Sequence, residues 1–68
     1  MEKRKKYIGK YHGIRCYSVG QMIGNNWYGS YYCAKEKNGR YYKVKDSVSN
    51  SVDELKKYVN EHINELKA

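Results

Sequence analysis

The stretch Trp27-Tyr28-Gly29-Ser30-Tyr31-Tyr32-Cys33-Ala34-Lys35-Glu36-Lys37-Asn38-Gly39-Arg40-Tyr41-Tyr42-Lys43-Val44-Lys45-Asp46 decides the fold. Its centre is Asn38-Gly39, two residues that tolerate the positive φ a type I′ hairpin turn requires. Aromatic residues crowd both flanks, as a pleated surface favours, so the reading is two strands at residues 27–36 and 40–46. A two-residue loop pairs Lys37 with Arg40. That register puts Lys35 opposite Tyr42, Cys33 opposite Val44, Glu36 opposite Tyr41 and Tyr32 opposite Lys45.

Toward the N-terminus, Gly24-Asn25-Asn26 is a second turn signal, and residues 20–26 read as a connector. An earlier strand is expected at residues 13–19, Gly-Ile-Arg-Cys-Tyr-Ser-Val. The preceding Tyr7-Ile8-Gly9-Lys10-Tyr11 either extends it or adds a short strand. Residues 1–6 are expected to form a flexible basic arm, and residues 7–68 one domain.

Toward the C-terminus, residues 47–50 are a polar connector. Ser51 and Glu54 form a capping box that opens a helix. Asp53 and Glu54 oppose the positive end of its dipole. Val52, Leu55, Val59, Ile63 and Leu66 recur at three- and four-residue steps, one apolar stripe. The helix has only the sheet to pack against. The expected class is therefore α+β: a three-stranded antiparallel sheet covered by one C-terminal helix, βββα.

Side chains alternate across a strand, which sorts the residues onto two faces. Ile14, Cys16, Trp27, Tyr31, Cys33, Tyr42 and Val44 fall on the face under the helix. Arg15, Tyr17, Tyr28, Ser30, Tyr32, Tyr41, Lys43 and Lys45 fall on the open one. Val19 and Ile23 fit the first strand's parity only if a bulge at Gly20 switches the alternation.

The 68 residues carry 14 Lys and Arg against 7 Asp and Glu, a net charge of +7. Residues 1–50 account for +8 and residues 51–68 for −1. The positive charge thus belongs to the strands and the arm, as a polyanionic partner would require. Nine tyrosines and one tryptophan are present, with no phenylalanine or proline.

No apolar run approaches a membrane span. Met1 precedes a charged cluster rather than a signal-peptide core, so a cytoplasmic location is expected. Cys16 and Cys33 are too few for a disulfide framework and are expected to be reduced. His12, Cys16, Cys33 and His62 lack the short spacings of a zinc site. No metal, cofactor or catalytic residue is expected: no nucleophile has a base and orienting partner, and no phosphate-loop spacing occurs.

The reading is a nucleic-acid-binding module for duplex DNA. Arg15, Lys43 and Lys45 would meet phosphates or base edges. Tyr17, Tyr28, Tyr32 and Tyr41 would pack on backbone or bases. Lys3, Arg4, Lys5 and Lys6 of the arm would lie along phosphates. Alternatively, the same face would bind an acidic protein partner, as an inhibitor or adaptor, or pair with its own copy.

The layout resembles two families of DNA-binding domain. Tyr11-His12-Gly13-Ile14-Arg15 looks like the Tyr-Arg-Gly-Val-Arg opening of the plant ethylene-response-factor type, and Trp27 lies where that family has a strand tryptophan. Ser51 through Tyr58 resembles the acidic opening of its helix. The second family is the arm-site-binding domain of tyrosine-recombinase integrases. Both resemblances imply a sheet inserted into the DNA major groove with the helix behind. The size and style also resemble orphan proteins of phages and mobile elements, which implies the host-protein inhibitor as the alternative.

Overall fold

The computed structural model describes residues 3–67. Four strands form one antiparallel meander in the order β1-β2-β3-β4: β1 Arg4–Tyr11, β2 Ile14–Ile23, β3 Asn26–Lys37 and β4 Arg40–Lys43. A short 3₁₀ turn, Lys45–Ser47, follows, then α1 Val52–Glu61 and α2 Ile63–Lys67. The class is α+β with an antiparallel sheet, but with four strands rather than three.

All three hairpin turns are two residues long. His12 and Gly13 (φ 52° and 81°) and Asn38 and Gly39 (φ 55° and 78°) have the positive pair of a type I′ turn. Gly24 alone is positive in the β2–β3 turn (φ 62°), the type II′ pattern. The Asn38-Gly39 register is as expected, with Lys37 against Arg40, Glu36 against Tyr41 and Lys35 against Tyr42.

The fourth strand comes from the N-terminus. Residues 7–11 are not an extension of the next strand but part of β1, and Arg4, Lys5 and Lys6 belong to it too, paired with Gly20, Val19 and Ser18. The expected arm is strand from Arg4 onward; Met1 and Glu2 lie outside the described residues. A lysine-rich edge strand is physically reasonable, because charged side chains discourage pairing with other chains. The bulge lies in β1, where the register shifts between Tyr7 and Gly9, and not at Gly20. The alternation of β2 runs unbroken to Ile23, so Val19 and Ile23 lie on the open face with Arg15 and Tyr17.

The last strand is shorter than expected. The chain leaves the ladder at Lys45–Ser47 and rejoins it at Ser49, which exchanges backbone hydrogen bonds with Tyr31 at 2.9 and 2.8 Å. Lys45 is consequently not opposite Tyr32.

The helix starts as the capping box requires. Ser51 Oγ accepts from the Glu54 amide at 3.2 Å, while the Glu54 carboxylate accepts from Asn50, one residue earlier than expected. His62 (φ −118°, ψ 20°) divides the helix in two. Leu55, Val59 and Leu66 bury against Ile14, Cys16 and Cys33, with Ile63 packed beside them. Val52 is exposed, as is Tyr42, which lies beyond the reach of the helices. The helices pack mainly on β3 and the 3₁₀ turn, and this offset leaves the sheet's inner face open toward β1.

Candidate nucleic-acid interface

The open face is built on all four strands, and a ladder of tyrosines crosses three of them. Tyr7 of β1 is the register partner of Tyr17 of β2, and Tyr17 is the partner of Tyr32 of β3. Direct cross-strand partners bring their rings together. Their centroids lie 5.4 Å apart for Tyr7–Tyr17 and 5.5 Å for Tyr17–Tyr32, the second pair stacked at 23°.

Cations flank this ladder. Lys5 Nζ lies 4.6 Å from the Tyr17 ring centroid and Lys43 Nζ 5.1 Å from that of Tyr32. The Arg15 guanidinium lies 4.0 Å from the Tyr41 ring and 5.9 Å from the Tyr7 ring. Hydrogen bonding with the Tyr17 side chain, followed by the pull of neighbouring phenols, raises the Arg15 pKa against the opposing effect of burial. Its Nε is buried without a hydrogen-bond partner. Glu36 faces Tyr41 across the β3–β4 ladder. A hydrogen bond with that carboxylate, followed by burial, pushes the Tyr41 phenol up.

Arg15, Tyr17, Tyr32, Tyr41, Lys43 and Lys5 are thus brought together. The other expected residues are not. Tyr28 shares the face but lies four residues along β3 from Tyr32, about 13 Å at the usual strand rise, opposite Gln21. Lys45 is exposed in the 3₁₀ turn. Lys6 lies on the opposite face, its Nζ 5.6 Å from the Trp27 ring, and alternation puts Arg4 there as well. Lys3 precedes β1 and is exposed.

The tyrosines differ in availability. Tyr32 is only 5% exposed, sandwiched between Tyr17 and Lys43. It lies on the open face, yet it is a packing residue with no free ring face for a base. Tyr7 and Tyr41, at 53% and 41% exposed, are the accessible rims. Two members of the cluster escaped the sequence reading: Tyr7, whose strand was left open, and Lys10, the exposed partner of Arg15. Pairing β1 with β2 across the His12-Gly13 turn would have found Lys10 opposite Arg15, whereas Tyr7 faces Tyr17 only because of the bulge between Tyr7 and Gly9.

Tyr11–Arg15, which carries the resemblance to the plant-type motif, forms the β1–β2 turn and the start of β2. Comparison with protein-family models, curated proteins and solved structures finds no match to this chain. Among the described residues, no helix is long and apolar enough to cross a membrane, and no group of three or more His, Cys, Asp or Glu is placed to hold a metal.

Proposed function

We propose that this protein binds duplex nucleic acid, DNA in the first instance, through the open face of its sheet. The observation that carries the reading is the convergence of Lys5, Arg15 and Lys43 on the tyrosines of one sheet face, from Tyr7 of β1 to Tyr41 of β4. The ladder holds these cationic groups over rings, in a shallow array suited to a row of phosphates. The rings of Tyr17 and Tyr32 stack on each other, so base stacking is not their role and a paired substrate is favoured over a single strand. Lys10 and Lys45 extend the positive field without belonging to the ladder.

The resemblance to sheet-in-groove DNA-binding domains agrees with this reading but does not support it independently, since a shared layout does not fix function. Binding to random duplex DNA measured across a salt series tests it. Contact with about five phosphates gives a slope of about −4 to −5 for the logarithm of affinity against that of salt. Absent or salt-insensitive binding overturns it in favour of a protein partner.

A further inference from the structure

The offset of the helices leaves a groove on the other side of the sheet. It has a volume of about 520 Å³, within the range of about 300–1,000 Å³ usual for small-molecule sites. Its floor and walls are aromatic and aliphatic: Trp27 and Tyr31 from β3, Tyr11 from β1 and Leu55 from α1. Lys6, Lys10 and Lys56 stand around it, and no Asp or Glu is among its described lining residues.

Two details show that the walls are held in place. Trp27 Nε1 donates to Ser18 Oγ at 2.7 Å, and that hydroxyl donates to the Ser30 carbonyl at 3.0 Å. The indole N–H is therefore used, and the ring offers a guest only its apolar surface. Asn60 of α1 donates to the Tyr11 hydroxyl at 3.0 Å, tying the β1 wall to the helix. Lys6 and Lys56 sit over the two fixed rings, each with Nζ 5.6 Å from a centroid. Pinned aromatic surfaces with cations beside them suit a flat ring carrying negative charge at one end.

We infer that this groove is a binding site for a small planar aromatic anion, of the size and chemistry of a nucleoside monophosphate. The ring lies against Trp27 and Tyr31, and Lys6 and Lys56 meet the phosphate. The site is independent of the duplex reading, because it occupies the opposite face of the sheet.

Trp27 is the one tryptophan in the chain, so its fluorescence reports on the groove directly. The full chain is titrated with AMP, with adenosine and with inorganic phosphate. Saturable quenching by AMP is expected, with adenosine and phosphate each at least about tenfold weaker, since one charge-assisted contact is worth about that much. Lys56→Gln and Lys6→Gln, each checked for folding by circular dichroism, should each weaken AMP about tenfold. Lys43→Gln, on the other face, should leave AMP binding unchanged and weaken duplex DNA instead. The inference is overturned if AMP gives no saturable quenching up to millimolar concentration or adenosine binds as well as AMP. It is equally overturned if Lys43→Gln matters to AMP more than Lys56→Gln. Failure of the unsubstituted protein to bind duplex DNA, with its AMP binding intact, would overturn the duplex reading alone.

Discussion

Ser47 Oγ accepts the Cys33 amide hydrogen at 2.9 Å and donates to the Val44 carbonyl at 2.6 Å, in a position with no solvent access. One hydroxyl thus replaces the backbone partner that β3 would otherwise find in a longer β4. In Ser47→Ala the Cys33 amide is left buried and unpaired, which should cost about 1–3 kcal/mol in denaturant titrations; an unchanged midpoint would contradict this role. Tyr32 calls for a correction of the same scale. An outward tyrosine is expected to tolerate truncation, but at 5% exposure Tyr32→Ala should cost about 3–5 kcal/mol, and Tyr32→Phe much less. Cys16 and Cys33, register partners on neighbouring strands, are both buried free thiols, and burial foremost raises the pKa of each. The folded state therefore keeps these protons to higher pH than the unfolded chain does. This contribution is complete below the unfolded thiol value of about 8.5 and is lost as pH rises through the folded values. Melting temperature should fall above that pH, and less so in Cys16→Ala. Iodoacetamide at pH 8.5 should label the denatured chain much faster than the native one; equal rates would contradict thiol burial.

At the scale of elements, the β2–β3 hairpin is shaped by two facing glycines. A Cβ on Gly20 would meet the Tyr28 carbonyl and lie 2.5 Å from Gly29 Cα, and one on Gly29 would lie 2.7 Å from Gly20 Cα. The strands approach too closely there for any side chain. Gly20→Ala should cost about 1–3 kcal/mol through backbone displacement, read as a lowered melting temperature. A melting temperature equal to that of the parent would mean the close approach is absent. Gly39→Val should cost at least about 1–2 kcal/mol, because its φ of 78° excludes a β-branched residue. The elements differ in how far they can be read from sequence. Asn38-Gly39 carries its turn chemistry openly, and Ser51 with the Leu55–Val59–Leu66 spacing announces the helix. β1 does not announce itself: its lysines read as a solvated arm because the rings that hold them, Tyr17 and Trp27, lie on other strands. The shortened β4 was equally hidden, since only the folded path brings Ser47 to the Cys33 amide. Gly20 suggested a break in β2, but its facing Gly29 becomes visible only once the strands are paired.

For the molecule as a whole, the sheet separates two sets of cations. Lys5, Arg15 and Lys43 lie on the open face, Lys6 and Lys56 border the groove behind it, and Lys10 on the edge strand borders both. Alternation assigned Arg15, Tyr17, Tyr41 and Lys43 to one face from sequence, whereas the division between Lys5 and Lys6 depended on recognising β1. Net charge alone would make every lysine equivalent toward a polyanion; the face assignment does not. The most direct test compares Lys43→Glu and Lys5→Glu with Lys57→Glu, an exposed helix position carrying the same change of net charge. Affinity for a random DNA duplex is measured for each across a salt series. Lys43→Glu and Lys5→Glu should each weaken binding and reduce the salt slope by about one, while Lys57→Glu leaves the slope close to that of the parent. Equal losses at all three positions would mean that the sheet face is not the binding surface.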